Sequence, residues 1–173
     1  PFAGPFADVF EEATCDVAVL VEPAGAPRAG PVVVPFGAFE HDWAALELGI
    51  WIAKALGRPL QLIGAADDRP NGADASRLLA DASLVVQHTS RIVPEPLLGA
   101  RGQTGIRSLA TGAGLLVVGL SERWRAEGLG VTRSALVEQP PSPLVLVRRG
   151  LRPGGLAPQE TLTRFTWSLE VGA

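Results

Sequence analysis

The sequence contains no methionine and no tyrosine, one cysteine (Cys15), one lysine (Lys54), one asparagine (Asn71) and two histidines (His41 and His88). A single cysteine forms no intrachain disulfide and fits a reducing compartment. The two histidines and the cysteine stand at no metal-binding spacing, so zinc and iron–sulfur centres lack a ligand set. Long apolar runs are also missing: the longest, Trp43 to Leu56, is broken by Glu47 and Lys54 and falls short of the roughly 20 residues of a membrane span. No basic start followed by an apolar stretch is present, so no signal peptide is read. Positive charge is sparse and scattered, with a net charge of −3 and only Arg148, Arg149 and Arg152 approaching a cluster; a nucleic-acid-binding face needs a concentrated basic surface. The absent initiator methionine makes an excerpt of a longer polypeptide the expectation. Fourteen arginines against one lysine are a codon bias expected of a high-GC bacterial genome.

What is present is enough for a core. The chain has 173 residues, 47% hydrophobic and 19% charged, with 20 Gly and 15 Pro for connections, which suits one domain of ordinary size. Apolar, β-branched runs occur at Val17–Val21, Val32–Phe36, Leu60–Ile63, Ile92–Leu97, Leu115–Leu120 and Leu144–Val147. They lack in-out alternation, so both faces of the sheet are expected to be covered, as in a parallel sheet between helices. Helices are predicted from about Glu40 to Leu56 (stopped by Gly57 and Pro59), Asp74 to His88, Thr104 to Ala110 and Thr132 to Glu138. In the first, Glu47 and Lys54 form a polar stripe. In the second, Asp74 is the expected N-cap and Leu78, Leu79, Ala82, Leu84 and Val85 face the sheet. The alternation from Val32 to Val147 predicts an open, doubly wound α/β sheet with right-handed crossovers.

Two pieces lie outside that unit. Shifting the sequence by 127 positions lays Val9–Pro23 over Leu136–Gly150, with Glu11 on Glu138 and Val17–Val21 on Leu144–Arg148. Both copies read as a helix end, a turn and a buried strand. The expected organisation is therefore 1–30 as the helix–strand end of a preceding repeat, whose strand adds an edge beside the last strand, 31–150 as the α/β domain, and 151–173 as a linker and tail. In that tail Thr163, Phe165, Trp167 and Leu169 alternate with Arg164, Thr166 and Ser168, the periodicity of a strand with one apolar face. Phe165, Trp167 and Leu169 are the candidate interaction residues.

Three stretches, Pro31–Gly64, Ala113–Gln139 and Pro141–Gly150, resemble the universal stress protein family. The resemblance covers about residues 31–150 and implies a five-stranded parallel sheet of order 3-2-1-4-5 with helices on both sides. More narrowly, the tandem arrangement, with CDVAVLVEP followed by VPFGAFEHDWAAL, looks like the cytoplasmic C-terminal region of bacterial cation/proton antiporters. That likeness implies a non-enzymatic regulatory domain, without cofactor, whose partners are the transmembrane antiporter domain of the same chain and a second copy in a homodimer. Localisation would be cytoplasmic, with no membrane insertion by this segment and no nucleic acid. The alternative is a stand-alone nucleotide-sensing stress protein.

Nucleotide-binding members of the family carry, after the fourth strand, a loop of two glycines three apart followed nine residues later by Gly and a hydroxyl residue. Here Gly119 and Gly130 hold its ends and Gly128 lies inside. Glu122 replaces the second glycine, the spacing is two residues short, and Val131 stands in the hydroxyl position. Gly37 stands where the family's adenosine-side Asp is expected. The degenerate candidate site is therefore Gly37, Gly119, Ser121, Gly128, Gly130 and Thr132, and ATP binding is not expected. Glu40, His41 and Asp42 are acid–base types, but at a helix start they are expected to cap it. His88-Thr89-Ser90 shows no nucleophile elbow. Asp67, Asp68 and Asp74 are expected to form only a solvated loop.

Overall fold

The computed structural model describes residues 5–22, 29–66, 75–151 and 154–156. Twelve elements follow in order: α1 (Pro5–Glu12), β1 (Val17–Val21), β2 (Val32–Pro35), α2 (Glu40–Leu56), β3 (Leu60–Ala65), α3 (Ala75–Ser90), β4 (Glu95–Gly99), α4 (Gly102–Ala110), β5 (Leu115–Leu120), α5 (Trp124–Glu127), α6 (Gly130–Glu138) and β6 (Leu144–Arg148). The strands form one sheet of order β1-β6-β5-β2-β3-β4. Every pairing from β4 to β6 is parallel, so β2 to β6 carry the expected 3-2-1-4-5 order. β1 sits at the anticipated edge but runs antiparallel to β6. It stands outside the β-α-β progression, and an antiparallel pair requires no crossover helix.

The sheet is closed on two faces by different helices. Leu46 and Ile50 of α2 and Leu79 and Val86 of α3 pack over Val32, Val34, Leu62, Val145 and Val147. On the opposite face, Leu136 of α6 and Ile106 and Leu109 of α4 cover Val33, Leu116, Leu144 and Leu146. A third cluster joins Phe10 of α1 to Leu120, Trp124 and Leu129, with Phe10 and Trp124 edge to face at 5.6 Å. α2 ends as predicted: Gly57 adopts the left-handed conformation (φ 59°) and Arg58 N–H donates to the Ala53 carbonyl at 2.9 Å, closing the last turn.

Several expectations are corrected. β1 and β4 are half-exposed edge strands, because an edge is covered only where a helix reaches it. The fourth strand begins at Glu95, since Arg91, at φ 61°, turns the chain out of α3 and residues 91–94 become connection. Leu84 is exposed and Val86 takes its place in the core, because Ala82 and Val86, three and seven residues after Leu79, continue its helical stripe. Glu47 is buried and accepts the Gly155 amide at 3.1 Å, so the stripe it shares with Lys54 is solvated only at the Lys54 end. The short helix α5 was not anticipated. Asp67, Asp68, Asp74 and the tail residues Phe165, Trp167 and Leu169 lie outside the described residues.

The 127-residue echo has a structural counterpart. Adding 127 to the bounds of β1 gives the bounds of β6, and α1 precedes β1 as α6 precedes β6. The register of the pair is symmetric under that equivalence: Val17 faces Arg148, Ala18 faces Val147, Val19 faces Leu146 and Leu20 faces Val145. A pseudo-two-fold axis therefore passes between Val19 and Leu146. Arg148 Nη2 donates to the Ala13 carbonyl (2.6 Å) and the Gly150 amide to Asp16 Oδ1 (2.8 Å), fixing the junction.

Candidate functional site

The strand order reverses between β2 and β5, and their carboxyl ends diverge there. A crevice of about 480 Å³ opens at that point, where open α/β sheets ordinarily take ligands. Its apolar wall includes Phe36, Ile63, Ile106 and Leu109, and its polar side Ser121, Arg123, Thr132 and Arg133. The first turns of α4 and α6 reach the crevice through Gly102 and Gly105 and through Thr132 and Arg133, so helix N-termini with free amides flank it.

The loop from β2 to α2 forms one rim. Ala38 is held at φ 65°, a left-handed conformation that costs a non-glycine residue about 1 kcal/mol or more. On either side of it, the Gly37 and Phe39 amides both donate to Asp42 Oδ2, at 2.8 and 3.2 Å. Asp42, the third residue of α2, thus ties down the helix start from inside, as the reciprocal arm of a capping box does. Burial pushes its carboxyl above the usual 3.8, with His41 and the two amides pulling the other way. Phe36 stacks edge to face with Trp43 at 4.8 Å, and Phe39 lies flat on the His41 ring at 5.5 Å.

Arg133 joins the rims. Its Nε donates to the Gly119 carbonyl (2.8 Å) and its Nη2 meets His41 Nε2 at 2.9 Å. A guanidinium only donates, so His41 accepts at Nε2 and carries its proton on Nδ1 as the neutral imidazole. Burial holds the His41 pKa below 6.5, opposed by Asp42 and assisted by Arg133. A folded-state pKa below the unfolded one penalises the folded state only when the group must be protonated. Stability is therefore expected to be level at neutral and mildly alkaline pH and to decline as pH falls through about 6.5. Asp42, raised, contributes with the opposite sign at lower pH, as its own protonation relieves its burial. Thermal melts from pH 8 to 5 should show the decline in the native chain and a flattened profile in His41→Gln, whose amide still accepts from Arg133. Identical profiles would refute the arrangement.

Of the residues singled out from sequence, Gly37, Ser121 and Thr132 line the crevice, whereas Gly119, Gly128 and Gly130 do not. Gly119 packs against the start of α2: a Cβ there would be driven into the His41 carbonyl oxygen. Gly128 and Gly130 have φ of 70° and 72° and serve the turn into α6, which other residues enter only with strain. Glu122 lies outside the lining and is exposed. Arg133 went unrecognised. The signal was a basic residue in the first turn of a helix, where the dipole disfavours it unless it is held by something else. Of the set aside clusters, Thr89 and Ser90 return their hydroxyls to the Val85 and Val86 carbonyls at 2.8 and 2.7 Å. Among the described residues no group of three His, Cys, Asp or Glu side chains is placed to hold a metal, and no helix is long and apolar enough to cross a membrane.

No protein-family model and no curated protein matches the chain. Solved structures do. A universal stress protein from Archaeoglobus fulgidus superposes with a TM-score of 0.63 at 17% identity, over 85% of this chain and 56% of its own. Another from Archaeoglobus fulgidus gives 0.58 at 17% identity, over 69% of this chain and 98% of its own. A protein of the universal stress protein family from Burkholderia pseudomallei gives 0.50 at 17% identity, over 68% and 94%. At these identities the likeness establishes the fold: the chain has a universal stress protein-like α/β domain.

Proposed function

We propose that the domain is a non-catalytic sensing module that binds a small nucleoside-type ligand, with few phosphates, in the crevice between β2 and β5. The observation that carries this reading is the crevice itself, with an apolar wall on the β3–α4 side and hydroxyl, guanidinium and helix N-terminal groups on the β5–α6 side. A planar ring suits the first and a single anionic group the second. Glu127 on the lining holds Arg123 in an ion pair at 3.2 Å, and Glu122, exposed in the β5–α5 connection, adds negative charge nearby, which together oppose a longer phosphate chain. The absence of catalysis is supported by the engagement of the site's base: His41 Nε2 is occupied by Arg133, so it takes no proton from a nearby hydroxyl.

Calorimetric titration of the chain with adenosine, AMP, cyclic AMP and ATP tests the reading. AMP or adenosine should bind more tightly than about 1 mM, roughly −4.1 kcal/mol, and ATP at least tenfold more weakly. Absence of saturable binding by any of the four would overturn the proposal. ATP binding tighter than about 100 μM, roughly −5.5 kcal/mol, would overturn the phosphate limit.

A second reading, the regulatory domain of a cation/proton antiporter, is proposed from the likeness of CDVAVLVEP and VPFGAFEHDWAAL alone. It requires a multi-span hydrophobic region encoded in the same gene, and a gene without one refutes it.

A further inference from the structure

The chain beyond the last strand is led onto one particular flank of the molecule. After β6, the Leu151 amide donates to the Thr14 carbonyl at 2.8 Å and Arg149 pairs with Glu40 at 3.7 Å, which fixes the exit of the strand beside the first turn of α2. About two turns further along α2, Glu47 accepts the Gly155 amide at 3.1 Å, and Leu156 packs against the cluster that holds Val145 and Val147. The linker therefore doubles back along α2. Gly49 identifies which flank it follows, because it faces Val34 and Leu60, on the side of β2 and β3. At about 100° per residue, Glu47 and Trp51, two before and two after Gly49, lie roughly 160° from it, towards β6 and β1.

That flank borders a strip of apolar surface. Ala18 and Leu20 pair with Val147 and Val145, and residues directly opposite in a sheet share a face, here the α2 face. Val145 and Val147 are 7% and 1% exposed, whereas Leu20 is 53% exposed and Ala18 is exposed beside it. Trp51, about one turn beyond Glu47, is 55% exposed. As a crossover helix α2 runs against β6, and so does β1, so the linker travels in the direction of β1.

We propose that this strip, Ala18 and Leu20 on β1 with Trp51 on α2, is the docking site of the chain's own tail, with Phe165, Trp167 and Leu169 laid on it by side-chain packing. Residues 157–173 follow Leu156, and the stretch 157–164 can extend to about 30 Å, against roughly 17 Å for a five-residue strand, so reach is not limiting. Tethered at Leu156, the tail meets the strip at an effective concentration on the order of millimolar, ahead of a free partner. Scale agrees as well. Two aromatic side chains need about 150–250 Å² of cover each, while a strip of three side chains is far smaller than the roughly 800 Å² that one partner brings to a stable protein–protein interface. Arg164, Thr166 and Ser168 alternate with the apolar residues and would stay in water. The tail would thus clasp β1 to α2. The contact is made on the face of β1, needs no strand pairing at its edge and involves no crevice residue, so it stands apart from the ligand reading.

The test is a double-mutant cycle in the 173-residue chain, with Leu20→Asp, Trp167→Asp and the two combined, read by thermal melts and by hydrogen exchange of residues 161–169. Each single substitution should lower the melting temperature by roughly 3–6 °C. The combined variant should fall no further than the worse single one, because the second charge disrupts a contact already lost. Amides of 161–169 should exchange at least tenfold more slowly in the native chain than in Leu20→Asp. Three results would overturn the proposal. The first is a pair of single shifts within about 1 °C, as for side chains without contacts, or shifts that simply add in the combined variant. The second is exchange of 161–169 at the same rate in the native chain and in Leu20→Asp. The third is a concentration-dependent dimer that Trp167→Asp dissolves, which would seat the tail on a second copy.

Discussion

Replacing Phe10 by alanine should destabilise the chain by about 3–4 kcal/mol, while Val9→Ala, one residue earlier on the same helix, should change stability by less than about 0.5 kcal/mol. Phe10 is 1% exposed, packed edge to face on Trp124 and enclosed by Leu120 and Leu129. Truncation removes that apolar area from the cluster and leaves a cavity bounded by β5 and the α5–α6 turn, which collapse only in part. Chemical denaturation followed by fluorescence of the indoles measures both variants. A single transition displaced as a whole means that α1 and β1 fold cooperatively with the α/β unit. A loss below about 1 kcal/mol, or a separate early transition, would mean that α1 is docked on a domain already complete without it.

Gly119→Ala should cost about 3 kcal/mol, the upper part of the range for overpacking, because the added methyl meets the backbone carbonyl of His41 rather than a side chain able to rotate away. For a chain of this length that corresponds to a fall in melting temperature of roughly 6–12 °C. The substitution pushes the start of α2 away from β5 and lengthens the bond from Arg133 Nε to the Gly119 carbonyl, now 2.8 Å. It thereby spreads the two rims of the crevice. The result separates two roles for this glycine. A residue needed only so that phosphate can approach the backbone would lose ligand affinity with stability intact. A residue needed for close packing of α2 on β5 loses stability whether or not a ligand is present, and the geometry requires the latter.

The strands were legible because parallel sheets covered on both faces demand continuous β-branched runs, and Val32–Val34, Leu115–Leu120 and Leu144–Val147 supply them. α2 was legible to the residue at both ends, since Gly57 stops it and the acidic pair Glu40 and Asp42 starts it. The edges were less legible. A half-exposed edge strand such as Val17–Val21 has the same composition as a central one, and only tertiary neighbours tell them apart. The candidate site was legible in its loop and not in its chemistry. Gly37, Ser121 and Thr132 were found by loop position, whereas Arg133 and His41 are 92 residues apart and no local pattern links them. Glu47 misled for a related reason: its carboxylate accepts an amide 108 residues later, which no helical stripe foretells.

The two margins of the sheet also differ in colloidal character. β4 carries Glu95, whose carboxylate is engaged by Gln61 at 2.8 Å, and Pro96, which has no N–H to offer. A passing chain finds at that margin a negative charge and a missing donor. β1 offers five consecutive apolar residues, with no proline among them to remove a donor from the edge that faces away from β6. Self-association of this polypeptide in concentrated solution would therefore be directional, nucleating from one side of the sheet only. Its solubility would depend on whether that side is kept covered more than on overall charge.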